Sequence, residues 1–151
     1  MKNYFLSFII FGMIGWSVEI IYTALYHLIM NDIENKWTLQ GHTYLWMFPI
    51  YGIISVFCPL YYLMKKKGYK WYIIYTIGVI NIYLIEYILG YLLEKYIGKC
   101  PWDYTDSSIF QIHGYIRLDY ILNWYLFILL IDLIYNNFVL HLLTKKTEKI
   151  L

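Results

Sequence analysis

Charge is what this chain has least of. Only 15% of its 151 residues are Asp, Glu, Lys or Arg, against about a quarter in a soluble domain, which excludes an ordinary water-facing globular surface. Cysteine occurs twice, Cys58 inside a long apolar run and Cys100 in a polar stretch, so neither a disulfide framework nor a metal-type cysteine spacing is expected. No GxxxxGK(S/T) phosphate loop is present, so no nucleotide site of that type is read from the sequence. The formal net charge is only +2, and no basic patch is interleaved for nucleic acid.

What the chain does have is long apolar runs. Hydrophobic residues make up 61% of it. A bilayer core about 30 Å thick needs roughly 20 apolar residues per helical span, and four stretches qualify: Tyr4–Met30, Tyr44–Met64, Trp71–Ile97 and Tyr120–Thr144. The predicted fold class is therefore all-α, a polytopic membrane protein of four transmembrane helices forming a single membrane domain over 1–151. The N-terminal MKNYFLSFIIFGMIGWSVE resembles a signal peptide, but its apolar run continues past Glu19 to Met30 without a small-residue cleavage site, so it reads as a retained first span. Nineteen tyrosines and six tryptophans suit the two membrane interfaces, where amphipathic rings are stable.

Orientation follows from the basic residues outside the spans. Lys2, Lys65, Lys66, Lys67, Lys70, Lys145, Lys146 and Lys149 fall on one side, and Lys36, Lys95, Lys99 and Arg117 on the other. The positive-inside rule puts both termini and the KKKGYK turn in the cytoplasm and predicts a plasma-membrane, multi-pass protein. The two longer loops, about 31–43 and 98–119, then face outward.

The two halves share a layout. His42-Thr-Tyr44-Leu45 and His113-Gly-Tyr115-Ile116 align without gaps, each just before an inward-running span. Glu19 lies fifteen residues past Tyr4, and Glu86 fifteen past Trp71. A duplication read from this match would be two parallel two-helix repeats; chance likeness between membrane segments is the other reading. At about 1.5 Å per residue, both carboxylates sit roughly 22 Å from the cytoplasmic ends, which predicts a polar cavity open to the outside beneath the outer loops.

The candidate cavity residues are Glu19, Glu86, Asp103, His113 and Arg117, with Trp16, Trp102 and Tyr104. In the first span Gly12, Gly15, Trp16, Glu19, Tyr22, Thr23 and Tyr26 recur every three or four residues, a small and polar stripe that turns away from lipid. A carboxylate at mid-span costs about 2.5–3.5 kcal/mol on insertion scales, so it faces the bundle and finds a partner. Plain structural pairing is the competing explanation for each. Tyr83, Glu86, Gly90 and Glu94 share a face of the third span, with Glu94 expected at a solvated interface. Asp132 is expected to pair with the hydroxyl of Ser55 or Tyr61. Arg117 would pair with Glu19, Glu86 or Asp103, hold an anionic group bidentately, or snorkel to headgroups. Pro49 and Pro59 interrupt the second span with Gly52 between them, and a helix break at Pro49–Gly52 is expected. His42 and His113 lack metal-ligand spacing, so no metal and no cofactor is predicted.

GWSVE (Gly15–Glu19), MFPIYG (Met47–Gly52), CPWDY (Cys100–Tyr104) and HGYIRLDYILNW (His113–Trp124) occur in this order. Together they resemble the bacterial ABC-transporter type IV, or CmpB-like permease, family, and are similar to small eukaryotic transmembrane proteins sharing the WDY element. The resemblance covers most of the chain. It implies roles for Gly15, Trp16, Glu19, Pro49, Gly52, Trp102, Asp103, Tyr104, Gly114 and Trp124, whereas GHTYLWMFPIYG departs from the family approach to PIYG and leaves His42 without an implied role.

Three function classes stay open on the sequence. One is a permease-like transport component, needing a homo-oligomer or a partner membrane or ATPase subunit because four spans are few for a complete path. The second is a membrane-embedded enzyme acting on a lipid or lipid-linked substrate, with Glu19 or Glu86 as general acid or base. The third is a non-catalytic scaffold or lipid sensor in contact with membrane lipid.

Overall fold

The structure, a computed structural model, describes residues 2–30 and 36–139. Four of its helical segments are long and apolar enough to cross a membrane: Tyr4–Met30, Met47–Lys66, Trp71–Ile97 and Leu118–Asn137. The chain is a multi-pass, all-α membrane protein, with one two-stranded hairpin among the described residues. The expected end of the last span at Thr144 and the lysines at 145, 146 and 149 lie outside the described residues, as does 31–35 of the first long loop. The chain divides into two compact units, residues 1–56 and 57–151.

In the first unit, helix α1 (Lys2–Met30) packs against the short helix α2 (Met47–Ile54). Glycine makes the approach possible. A Cβ on Gly15 would lie 2.0 Å from Cγ of Tyr51, one on Gly12 would lie 2.9 Å from the Phe48 carbonyl oxygen, and one on Gly52 would meet the Phe8 ring at 2.7 Å. Each helix thus presents a groove to an aromatic ring of the other, with Phe8 and Trp16 both edge-on to Phe48. The rest of α1 is apolar nearly all round, and Phe5, Met13, Ile21 and Ile29 stand exposed, as a lipid-facing surface requires.

The second span starts at Met47, three residues later than expected, and its break falls at a different place. Pro49 sits in the first turn of α2, where a backbone N–H has no intrahelical partner, so its missing donor costs nothing. Gly52 lies within that helix. The interruption comes at Ser55–Phe57, after which helix α3 (Cys58–Lys66) begins with Pro59 in its first turn. Pro59 cannot donate to the Ser55 carbonyl, and the preceding turn tightens into Ser55 N–H to Gly52 O and Val56 N–H to Ile53 O contacts of 3.1 and 3.0 Å.

In the second unit, helix α4 (Trp71–Ile97) packs against α5 (Ile121–Ile134), and α3 touches both. The α4 residues buried there are Ile74, Tyr75, Gly78, Val79, Ile82, Glu86 and Gly90, a stripe at helical spacing. Ile128 of α5 fills the space over Gly78. α4 ends at Gly98, whose φ of +90° lets its N–H return to the Glu94 carbonyl as a left-handed cap. Beyond α5, Tyr135–Val139 winds as a π-helix.

These packing distances set the order of glycine substitutions. Gly15→Ala drives a methyl into the Tyr51 ring and should destabilise the protein by about 1–3 kcal/mol, the cost of overpacking. Gly90→Ala meets Tyr115 only at 3.0 Å, and its gain in helix propensity of about 1 kcal/mol should leave it near neutral. Thermal unfolding in detergent compares the two; equal losses would contradict the packing described.

Candidate functional site

Within the first unit, the polar stripe of α1 binds the loop that leads into α2. The Trp16 indole N–H donates to the Tyr44 carbonyl at 2.9 Å. Thr23 Oγ1 donates to the His42 carbonyl at 3.0 Å and accepts the His42 N–H at 2.9 Å. One turn past Gly15, the Glu19 carboxylate accepts the Tyr51 hydroxyl at 2.9 Å. The buried Thr43 hydroxyl is the second polar group near that carboxylate, short of hydrogen-bond geometry. Tyr22 and Tyr26 of the expected stripe instead stack on each other, about two-fifths exposed.

Within the second unit, Trp102, Asp103, Tyr104, His113 and Arg117 come together around a hairpin formed by β1 (Gln111–Ile112) and β2 (Ile116–Arg117). Its turn carries positive φ at both His113 (52°) and Gly114 (72°) and is closed by Tyr115 N–H to Ile112 O at 3.1 Å, the backbone pattern of a type I′ turn. The CPWDY segment clasps this turn. The buried Trp102 indole donates to the Tyr115 carbonyl at 3.1 Å, and Tyr104 N–H donates to the Gly114 carbonyl at 2.8 Å. Asp103 Oδ1 accepts both the amide and the hydroxyl of Thr105, at 2.9 and 2.5 Å. Those two bonds hold the Asp103 carboxyl below the usual carboxylate range.

Arg117 pairs with Asp119 and with none of the partners expected for it. Its Nη2 and Nε lie 2.6 and 3.2 Å from the two carboxylate oxygens, and Nη1 donates to the Tyr120 hydroxyl at 3.0 Å. The guanidinium also stands 4.1 Å over the Tyr120 ring. The Asp119 bonds raise its proton affinity further. Two residues apart, Arg117 and Asp119 neutralise each other at the start of the fourth span.

The hairpin rests on α4. Tyr115 lays its ring on Gly90 and donates its hydroxyl to Glu94. That bond, with burial second, pushes the Tyr115 phenol up to about 12. His113 Nδ1 meets the Tyr87 hydroxyl at 2.8 Å, and Tyr83 donates to the Arg117 carbonyl at 3.1 Å. Glu86 is buried on this face. Burial pushes the Cys100 thiol up to about 11, and the carboxylates of Asp103, Glu94 and Glu86 add to it. At the far end of the unit, Asp132 accepts Lys65 at 2.6 Å, Tyr75 at 3.1 Å and Asn136 at 2.6 Å, not Ser55 or Tyr61.

Sequence reasoning missed Tyr51 and Tyr115 as the partners of intramembrane or interfacial carboxylates. A signal was present: Gly15…Glu19 and Gly90…Glu94 are both glycine followed four residues later by glutamate, and in each unit a tyrosine covers the glycine and bonds the glutamate. The two HxY segments are built differently. His113 stands in a left-handed turn and His42 in an irregular loop. Among the described residues no group of His, Cys, Asp and Glu is arranged to hold a metal.

The sequence profile of the family described as "Putative ABC-transporter type IV" matches residues 6–151. No solved structure matches the chain at a significant level.

Gly114 is fixed three times, by its φ of +72° and by Asp103 Oδ1 and Thr105 Oγ1, which a Cβ would meet at 2.5 and 2.6 Å. Gly114→Ala should therefore cost about 2–4 kcal/mol in thermal unfolding. In an Asp103→Ala, Thr105→Ala background, which removes both contacts, the same Gly114→Ala change should cost less and leave only the backbone strain. A Gly114→Ala cost that is equal in the two backgrounds would show that the oxygen contacts are not there.

Proposed function

The chain belongs to the ABC-transporter type IV family, and we propose that it is a permease-like component of a membrane transporter whose ATPase is a separate protein. The observation that carries this reading is the Glu19 carboxylate, set inside a membrane span and reached by the Tyr51 hydroxyl. A polar group at that depth is expensive and usually functional. In this reading the first unit offers substrate a polar site of Glu19 and Tyr51, with Trp16 holding the loop beside it. It opens outward, because the lysine-rich turn marks the cytoplasmic side. Glu86 is the second intramembrane carboxylate assigned to the path. Pro49 and Gly52 belong to this reading as the residues that seat Tyr51, while the helix break itself is the Ser55–Phe57 segment. Four spans are few for a complete path, so a second copy or a partner membrane subunit completes it.

Asp103, Arg117, His113, Trp102 and Tyr104 take a supporting role here. Their bonds close on one another and on α4, as a clasp over the outer end of the second unit. This favours structure over chemistry for the loop and weakens the alternative of a lipid-acting enzyme that would need Arg117 to hold a headgroup.

Gentle extraction from the native membrane should recover an ATPase subunit in fixed proportion to this chain. Glu19→Gln should assemble normally yet lower transport-linked ATP hydrolysis at least about tenfold, the loss of one essential group. Recovery of the chain alone, or with a single retained lipid species, would sink the permease reading and favour the lipid enzyme or sensor.

Orientation has its own test. Cys100 is 6% exposed with a raised thiol pKa, so the native cysteine is a poor probe, whereas Ile109 is 91% exposed. Ile109→Cys should react with a membrane-impermeant maleimide added outside intact cells. Reaction only after permeabilisation would invert the topology.

A further inference from the structure

The turn between α3 and α4 concentrates positive charge, and among the described residues only Lys65 of it meets a carboxylate. Lys65, Lys66, Lys67 and Lys70 fall within six residues, and the sequence from 57 to 74 contains no Asp or Glu. Their fates differ. Lys65 is drawn back onto Asp132 at 2.6 Å. Lys66, Lys67 and Lys70 are exposed, and among the described residues none of them meets a carboxylate.

The turn is built to hold these three together. Lys67 caps α3, Gly68 follows at φ +81°, its N–H donates to Lys65 O at 3.0 Å, and Tyr69 N–H donates to Met64 O at 3.1 Å. These two bonds are the paired closure of a Schellman motif, which reverses the chain in the fewest residues. Nothing stands within 4 Å of the position a Gly68 side chain would occupy, so the face is open. Interfacial rings surround it: Lys66 lies 4.8 Å over Tyr62, while Tyr69 and Trp71 are 50% and 62% exposed. Exposed aromatics at a span end place this turn at headgroup depth. The hairpin end of the same unit differs, since Lys95, Lys99 and Arg117 there are mixed with Glu94, Asp103, Asp106 and Asp119, and Arg117 is paired with Asp119.

We propose that Lys66, Lys67 and Lys70 form a binding surface for the phosphodiester headgroups of anionic membrane lipids. Charge complementarity selects this occupant: three ammonium groups that meet no carboxylate among the described residues stand at a span end, the height where lipid phosphates lie. The surface holds whichever function the rest of the chain serves.

The test is the lipid retained by the purified chain after reconstitution in an equal mixture of phosphatidylglycerol and phosphatidylcholine, read by native mass spectrometry. Wild type should enrich phosphatidylglycerol about tenfold or more, and the enrichment should shrink as salt rises. A Lys66→Gln, Lys67→Gln, Lys70→Gln triple variant should lose it to within about twofold of parity, and the matching triple Lys→Arg variant should keep it. Helical content by circular dichroism confirms that each variant is folded; should the triple Gln variant fail, Lys67→Gln and Lys70→Gln singly should each lower the enrichment. Equal retention of both lipids by wild type, or unchanged enrichment in the folded Gln variants, would overturn the proposal.

Discussion

A tyrosine ring lying on a glycine is the contact that both units share and on which the first depends. Tyr51 covers Gly15 and bonds Glu19; Tyr115 covers Gly90 and bonds Glu94. The geometry is that of one helical turn. Residues i and i+4 lie one above the other on the same face, and a phenol laid flat over the first brings its hydroxyl to the second. At Gly15 any side chain lifts the ring and takes the hydroxyl away, whereas at Gly90 the Tyr115 ring need give by only a few tenths of an ångström. For Glu19, inside a span, that would leave the carboxylate in hydrocarbon with one fewer donor, a cost of the order of a few kcal/mol. The glycine therefore decides whether the acid is tolerated, although it touches the acid nowhere.

The polar residues crowded between the third and fourth apolar runs are explained by the same need for satisfaction. A hairpin at the end of a span carries backbone donors and acceptors that α4 and α5 cannot supply. Trp102 and Tyr104 answer two of the turn's carbonyls, Thr105 answers Asp103, and Asp119 answers Arg117. Gly114 permits all of this to close, because only glycine combines a left-handed φ with a carboxylate oxygen at the distance of its absent side chain. The two motifs CPWDY and HGYIRLD are thus two halves of one clasp.

The spans were legible in the sequence because length and hydropathy are local properties, and the inward stripe of α1 was legible because helical spacing is local too. Partners were not. Tyr51 is 32 residues from Glu19, and no periodicity links them. Glu94 reads as a solvated interfacial acid, and it is exposed, yet the tyrosine that binds it arrives from a loop. Arg117 looked like a reach toward the membrane because its nearer partner, two residues away, only faces it once the chain turns into a short helix at Leu118–Tyr120. Pro49 is ambiguous in the sequence for a different reason. A proline breaks a helix only past its first turn, and where α2 begins could not be read from an apolar run that starts earlier. The HxY match paired Glu19 with Glu86, whereas the local architecture pairs it with Glu94.

The two tyrosine–carboxylate pairs are alike in construction and unlike in setting, and the difference bears on function. Glu94 stands three residues before the end of α4, exposed, where water can stabilise its charge. Glu19 stands eleven residues before the end of α1 and is half-buried, so its ionised form relies on Tyr51 and on whatever else enters the site. A tyrosine hydroxyl can donate to a carboxylate or accept from a carboxylic acid, so the pair can hold Glu19 in either state without rearranging the helices. A cation or proton reaching Glu19 would then meet a group whose partner is already in place. That property suits a step in a transport path better than a purely structural bond, and it is the physical ground for assigning Glu19, ahead of the loop residues, to the proposed permease function.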